Sequence, residues 1–563
     1  MHQPSTEPRP SIYYPYRVFE PWLPSRHPAP RRVPVTIAGS GPAGLVTALE
    51  LARHGVPSIV LTAELQVSQG SRAIVFTRRS MEILQQVGVA DRVAANGLPW
   101  RFGNSYYRGE RVFRMEAPHD PHDRFFPMTN LQQQYLEEYL LDACREHPLI
   151  EVRWGNRLTR LEQCDGFARL EVDTPEGPYR LDTDWLVAAD GGRSGIRAAL
   201  NLQMEGASYE GAFVIADIRI DLPWPTERMA FFDPPWNPGN TILMHREPHG
   251  IWRLDYQLPP GESPEEALAP ESLKQRIDAQ LAMIGHGGTP WELDWCSVYS
   301  ARTLTLPDYV HGSVLFVGDA AHLLPIFGVR GANTAFQDAQ SLGWHLAFVV
   351  RGLAGGALLR NFSTERVGAA REIIEEAGKS TRFMTPPSRG FKLLRDAVLS
   401  LSLTQAFVRP LYHWRTSRPH EYTRSSLNGT DDDDARFTAG PAHGALACNV
   451  RLGDDDHLLD HLGGGFDLLC FTAGPGLPGP VLDAVGEVRA RGVPIAVVAI
   501  GAAAPVAGAD RTLRDADGHC RARYGVHAEG AAYLLRPDQH VCARWLDLDA
   551  DRLRSALATA LPQ

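Results

Sequence analysis

Cysteine is scarce in this chain: Cys144, Cys164, Cys296, Cys448, Cys470, Cys520 and Cys542 are seven among 563 residues, odd in number and never spaced Cys-x-x-Cys. Neither a zinc site nor a disulfide framework is expected from that pattern. A basic excess is missing too. The formal net charge is -10 and the pI is near 6.1, so there is no electrostatic footprint for a phosphate backbone and nucleic acid is not an expected partner. Long hydrophobic runs are absent. The longest, 493–507, is interrupted by Pro494, Gly501 and Pro505 and is shorter than the roughly 20 residues a membrane span requires; it reads as a buried strand with its loop, and no membrane partner is expected. The first 30 residues are rich in Pro and Tyr and lack the apolar core of a secretory signal, which points to a reducing, cytoplasmic setting. Repeats are not evident, and low complexity is confined to the run Asp431 to Asp434.

The remaining composition, 44% hydrophobic and 22% charged, is that of an ordinary globular protein. The length exceeds what one hydrophobic core sustains, so two or three domains and room for a large buried cofactor follow. Val33 to Ala38 is a β-branched apolar run that stops at Gly39; Leu45 to His54 reads as an Ala/Leu-rich helix and Ser58 to Leu61 as the next strand. Together they form one βαβ unit. Two later apolar strands, Trp185 to Ala188 and Val314 to Val317, are each followed closely by an Asp beside a Gly, so one nucleotide domain is assembled from separated segments. Between them, Ile251, Arg253, Asp255 and Gln257 alternate with Trp252, Leu254, Tyr256 and Leu258, a strand pattern with one polar face that suits either a sheet roofing a cavity or a solvent-facing sheet.

Past Gly331 the chain turns helical, punctuated by Pro386, Pro387 and Pro410. A composition break at Asn428 to Gly444, with its four consecutive Asp residues, reads as an exposed linker. Beyond it the order strand, helix, strand, paired strands and closing helix resembles a thioredoxin-like fold without the Cys-x-x-Cys that disulfide exchange needs, so a structural or assembly role is expected of it. The expected fold class is α/β: a Rossmann-like dinucleotide-binding domain with an inserted β-sheet substrate domain, followed by a thioredoxin-like C-terminal domain. The bounds are 1–30 for a Pro-rich arm, 31–206 and 301–427 for the dinucleotide-binding part, 207–300 for the substrate sheet, 428–445 for the linker and 446–563 for the last domain.

Three motifs carry chemistry. Gly39-Ser40-Gly41-Pro42-Ala43-Gly44 lies between a strand and a helix. Gly39 permits the tight turn, Gly41 the backbone approach to a pyrophosphate and Gly44 close helix packing, with the helix N-terminus facing the anion. The acidic residue expected on the ribose at the end of the second strand is replaced by Thr62, and Glu64, two residues on, is the substitute candidate. The second motif is Ala189-Asp190-Gly191-Gly192-Arg193-Ser194 with Arg197. The third runs from Gly318-Asp319-Ala320-Ala321-His322 through Pro325 and Gly328 to Gly331-Ala332-Asn333 and Asp338.

In these three ordered motifs the sequence resembles the FAD-dependent aromatic hydroxylases, the flavoprotein monooxygenases that include para-hydroxybenzoate, phenol and hydroxyphenylpropionate hydroxylases. The resemblance covers Val33 to Leu399 for the catalytic part, and the linker and C-terminal part match the layout of the phenol and polyketide hydroxylase branch. It implies that Asp319 accepts from the ribityl chain and that the amides of Gly331, Ala332 and Asn333 lie by the pyrimidine edge of the isoalloxazine, where a helix N-terminus favours negative charge. It further implies that Asp190 serves both FAD and the reductant, that Arg72 contacts ribose and pyrophosphate, and that Gln133 lies near the ribityl chain. One departure touches substrate identity: Pro325-Ile326 stands where many members have Pro-Pro.

The implied reaction is hydroxylation of a small aromatic, phenolic substrate by molecular oxygen through a flavin hydroperoxide, with NADH or NADPH as co-substrate, no metal and no second dinucleotide fingerprint. His245, Arg246, Arg253 and Tyr256, in the middle sheet, are the candidate substrate-facing groups, a cation or donor favouring the phenolate and His245 relaying its proton. His322 reads as a packing residue at a helix start. Baeyer-Villiger oxidation or epoxidation on the same scaffold fits the same motifs, whereas halogenation lacks its lysine and Trp-x-Trp-x-Ile stretch. From a different class, a non-catalytic FAD-binding assembly module is the competing reading. The sequence leaves room for a homodimer.

Overall fold

A computed structural model of the chain describes residues 1–27, 32–259, 261–325, 327–412, 418–527 and 530–563. Its first sheet is built on the strand Arg32–Ala38, flanked in parallel by Ser58–Leu61 on one side and by the end of Gly177–Ala188 on the other, with Ile150–Arg153 and Val314–Phe316 outside them. Both faces of these strands are covered, which explains their near-continuous apolar runs. The helix after the first strand spans Pro42–Arg53, three residues ahead of the Leu45 start read from the sequence. Proline at its first position accounts for this, because the fixed φ is already helical and the missing N–H would find no partner there anyway.

A second sheet has eight strands in the order His322–Leu323, Glu292–Thr305, Glu205–Arg219, Ile251–Gln257, Thr241–Arg246, Arg228–Phe232, Phe102–Tyr107 and Glu110–Glu116. The last two come from outside 207–300, and Arg228–Phe232 takes Phe102–Tyr107 as a parallel neighbour. Both faces of its central strands are covered. Ile218, Ile242, Met244, Trp252, Leu254 and Tyr256 are covered by Leu273, Ile277 and Leu281 of the helix Pro270–Met283. Phe213, Ala230, Phe232 and Leu243 on the other face meet Phe327, Phe383, Met384, Val398 and Leu399.

The C-terminal sheet has the order Arg511–Leu513, Ile495–Ile500, Phe466–Phe471, Ala532–Leu535, Val541–Trp545, parallel in its first three strands and antiparallel in the rest, with helices Gly479–Ala490 and Ala550–Ala560 beside it. The expected exposed linker is instead docked on this unit. Asp434 Oδ1 lies 2.6 Å from Arg544 Nε and Asp433 Oδ2 3.1 Å from Arg552 Nη1, while the Leu546 amide donates to Asp433. Burial works to raise the Asp433 carboxyl, but Arg552, the Leu546 amide and Arg436 outweigh it and hold it down to about 2. An Asp run reads as solvated from sequence alone because two of its arginine partners, Arg544 and Arg552, lie more than a hundred residues away.

One buried cluster joins this unit to the rest. Arg536 makes a bidentate pair with Glu365 at 2.7 and 2.9 Å and reaches Asp538 at 2.6 Å, Asp538 accepts from Trp344 Nε1 at 2.9 Å, and Arg79 donates to the Asp538 carbonyl at 2.9 Å. All of these side chains are buried. Replacing Arg536 with Met leaves two carboxylates in the interior without their cation, so Arg536→Met is expected to lower unfolding free energy by about 3–5 kcal/mol. A denaturant titration followed by tryptophan fluorescence measures the loss.

Candidate functional site

The three motifs meet at the carboxyl ends of adjacent parallel strands, where open α/β sheets bind their ligands. Gly39 follows the first strand with φ +113°, and a Cβ there would lie 2.2 Å from the Ala189 carbonyl oxygen. A Cβ on Gly44 would meet the Gly39 carbonyl at 2.0 Å, so the turn, the helix and the Asp190 strand end interlock only with hydrogen at both positions. A Cβ at Gly41 or Gly331 would meet nothing within 4 Å. Both helix starts therefore face open space. The first intrahelical bond of the 20-residue helix Gly331–Val350 is donated by Thr334 to Arg330, and the amides of Gly331, Ala332 and Asn333 find no acceptor among the described residues.

The carboxylates are placed to match. Asp190 accepts from the Ile196 amide at 3.2 Å through Oδ2, while its Oδ1 is buried without a partner among the described residues. Arg197 ties this turn to the next one, donating to the carbonyls of Gly192 at 2.7 Å and Ala320 at 3.0 Å. Asp319 is walled by protein yet its side chain reaches solvent, as at the floor of a cleft. It accepts no hydrogen bond among the described residues. Burial by its surroundings raises its carboxyl, and His322 and Arg72 pull against that shift. Arg72 is exposed and close enough to be felt by Asp319.

Behind the Gly318-Asp319 turn sits Asp338, fully buried. Its Oδ2 accepts from His322 Nε2 at 2.6 Å and from the Gly318 amide at 3.1 Å, and its Oδ1 from Arg366 Nε at 2.7 Å. His322 is accordingly a buried partner of Asp338. Asn333 is used twice: its side chain takes Thr77 and Ser80 donors and donates to the carbonyls of Val75 and Val329, leaving only its backbone amide for a ligand. Pro325 is buried; Ile326, on which the departure from Pro-Pro rests, lies outside the described residues.

The loop carrying Arg72 is held from three sides. Gln133 donates its backbone N–H to Ser71 Oγ at 2.8 Å and accepts from the Ala73 amide at 3.1 Å. Its Nε2 donates to Glu137 at 2.7 Å, so the Gln133 side chain braces this loop. Tyr16 Oη accepts from the Gly70 amide. Arg253 donates to the Ser71 carbonyl and makes a bidentate pair with Asp217, both contacts at 2.8 Å. Arg253 is thus occupied by Asp217 and the loop and acts as a positioning residue, which corrects its reading as a substrate contact.

Strand alternation sorts the other candidates. His245 pairs in register with Arg253 and shares its face, with Nδ1 buried and unpartnered among the described residues. Burial first, then Arg228 and Arg253, hold the His245 pKa well below its ordinary value. Arg246 and Tyr256 point the opposite way, a correction that follows from the period of two: Arg246 donates to the Trp224 carbonyl at 2.8 Å, and Tyr256 packs among the residues under the Pro270–Met283 helix with Arg276 over its ring at 5.6 Å. Sequence reading missed Arg228, Asp217 and Asp255. All lie on the His245 face, and the alternation of their strands was the signal that could have found them. Burial lowers Arg228 to about 10, and burial raises Asp255 to about 6 against the pull of Arg253.

Residues 1–27 are a strap across this end of the molecule. Arg9 pairs with Glu64 at 3.0 Å, Phe19 donates its amide to the Leu65 carbonyl, Trp22 lies under Arg153, and Asp294 of the middle sheet accepts from Ser11 and the Ile12 amide at 2.7 Å. The ribose candidate Glu64 is therefore committed to Arg9 and about half exposed. Thr62 is buried, its backbone bonded to Arg153 and Asn156.

An open pair of helix N-termini, two carboxylates with free acceptor atoms and a cation beside one of them fit a dinucleotide flavin: amides for the pyrophosphate at Gly41 to Gly44, Asp319 and Arg72 along the ribityl and phosphate chain, and the 331–333 amides for the ring edge. Arg366 and His322 outweigh burial and hold the Asp338 carboxyl at about 2. Its ionised form thus stabilises the fold in full above the ordinary carboxylate range, and that stability is lost as pH falls from about 4 toward 2. Asp338→Asn is expected to cost about 3–5 kcal/mol at neutral pH by leaving Arg366 uncompensated, a deficit that narrows in acid. Thermal denaturation across pH, read together with flavin release, measures it.

Comparison with known proteins agrees with this geometry. Residues 32–377 match the FAD binding domain family. The 3-(3-hydroxy-phenyl)propionate/3-hydroxycinnamic acid hydroxylase of Mycolicibacterium smegmatis is 28% identical over 452 residues, 79% of this chain and 78% of that protein. The flavin-dependent monooxygenase PieE, solved with FAD and substrate, superposes with a TM-score of 0.79 at 25% identity over 94% of this chain and 99% of that one. Aklavinone-11 hydroxylase, solved with FAD and aklavinone, gives 0.75 at 25% identity over 94% and 99%. The chain belongs to the FAD binding domain family and is an FAD-dependent monooxygenase.

Proposed function

We propose that this monooxygenase hydroxylates a phenolic ring held against the His245 face of the middle sheet, with NADH or NADPH as reductant and molecular oxygen as oxidant. The observation that carries the reading is the pairing of surfaces: a flavin-shaped set of donors and acceptors at the strand ends, and a buried sheet face that His245 and Arg228 share with Phe213 and Phe232, on which Phe327 packs. When bound, the flavin supplies the redox chemistry, taking a hydride and delivering one oxygen atom.

The chain's own residues supply position, charge and exclusion of water. The 331–333 amides, at an open helix start, would hold the ring edge of a bound flavin and favour negative charge there. His245, kept neutral by burial and by Arg228 and Arg253, offers a nitrogen that accepts the phenol hydrogen and orients the ring. Arg228 on the same face favours the phenolate that makes the ring electron-rich. The aromatic and aliphatic side chains around them keep water from the reacting atoms. The C-terminal unit is thioredoxin-like in this reading and serves assembly.

Oxygen uptake and NAD(P)H oxidation by the FAD-loaded protein, run over phenols, hydroxybenzoates and phenolic acids with products weighed by mass spectrometry, test the reading. A phenol that accelerates oxidation and gains one oxygen supports it; oxidation of ketones alone overturns it. His245→Ala is expected to lower kcat/KM for that phenol by roughly 10²-fold with unchanged flavin content. Because His245 stays neutral through this range, the wild-type profile is expected to show no histidine titration between about pH 6 and 8.

A further inference from the structure

Among the described residues, seven of the ten large apolar side chains left exposed lie between Phe391 and Leu411, including Leu393 at 71%, Leu394 at 57% and Phe407 at 74%. They belong to the helix Arg389–Ser402 and the short 3₁₀ segment Ala406–Tyr412. The opposite side of that helix is spoken for: Arg395, Val398, Leu399 and Ser402, at helical spacing, are buried, and Val398 and Leu399 pack on Phe213, Phe232 and Leu243 of the His245 face. One helix thus roofs the site with one side and presents leucines to the outside with the other.

Charge distinguishes this patch from the rest of the chain. From 382 to 418 the sequence carries seven Lys and Arg residues against the lone acid Asp396, in a chain whose net charge is -10; of these Arg389 and Lys392 are exposed beside the leucines, whereas Arg395 is buried against Asp396 and Arg418 pairs with Glu372. Isolated surface leucines need no explanation, but a contiguous apolar patch rimmed by one sign of charge marks a docking surface. A second copy docking by two-fold symmetry would set these cations against one another. An amphipathic helix with Leu and Phe on one side and Lys and Arg around them is suited to the boundary of an anionic bilayer. No described helix is long and apolar enough to cross a membrane, so the segment lies on the surface.

We propose that the 389–412 segment docks this protein on an anionic lipid surface, its exposed leucines and phenylalanines in the headgroup boundary and Arg389 and Lys392 toward lipid phosphates. Composition argues only against a span and leaves this contact open. Docking would set the roof of the His245 face at the lipid boundary.

The test is co-sedimentation of the full-length, FAD-loaded protein with phosphatidylcholine vesicles, with and without phosphatidylserine, at low and high salt, beside sedimentation velocity without lipid. Binding to the phosphatidylserine vesicles that falls at high salt is expected. It should drop at least about tenfold in L393Q/L394Q/F407S and in R389E/K392E, whose flavin absorbance and melting temperature stay as in the parent because the changed side chains are exposed. No binding to phosphatidylserine vesicles by the folded protein, or equal binding by the variants, overturns the proposal. A lipid-independent dimer that the apolar variant dissociates also overturns it and assigns the patch to a second copy.

Discussion

Asp338 is the constraint on which the flavin site rests. It receives a backbone amide from the Gly318 turn, an imidazole N–H from His322 and a guanidinium from Arg366, all in the interior. Arg366 continues to the Tyr422 hydroxyl at 2.7 Å, so a single carboxylate fixes the third motif, the helix behind it and the segment leading to the C-terminal unit. A buried charge with this many donors is a weak source of net stability and a strong source of uniqueness. Any shift of the Gly318 turn would strand a donor without its acceptor. That is why Asp319, one residue on, can be held at a cleft floor with its own oxygens unspent.

The same economy of contacts appears in the middle sheet. Arg253 and Asp217 face each other in register on adjacent strands, and the guanidinium reaches beyond the sheet to the Ser71 carbonyl. The middle sheet and the Arg72 loop are thereby one mechanical unit, braced on the far side by Gln133 and from above by the N-terminal strap. The strap's bond between Arg9 and Glu64 occupies one oxygen of the ribose candidate. It also anchors the segment that follows the second strand.

Legibility in the sequence divides along physical lines. Short-range signals were enough for the strand, glycine turn and helix at 32–53, because apolar period, Gly39 and Pro42 act within a few residues, and for Asp190 and Asp319, which follow directly from strand ends. Order and separation of three motifs then carried the cofactor. Long-range pairings were not legible. Nothing near Arg253 announces Asp217 or Ser71, nothing near Asp433 announces Arg552, and the Phe102–Glu116 hairpin joins the middle sheet from a hundred residues upstream. The 207–300 bounds omitted those strands because sequence shows alternation without partners.

Alternation is also what separates chemistry from packing at the candidate site. Tyr256 and His245 looked equivalent as polar residues on neighbouring strands, yet a difference of one in register parity places them on opposite faces, Tyr256 under the Pro270–Met283 helix and His245 beside Arg228, Arg253 and the aromatic cluster. A one-residue slip in either strand would exchange those faces and bury the wrong set against the site. The cross-strand pair Arg253 and Asp217 opposes such a slip, since displacement would leave two charges unpaired in the interior. Arg253, read from the sequence as a substrate contact, therefore acts earlier in the causal chain: its pair with Asp217 helps set the register that places His245 on its face of the sheet.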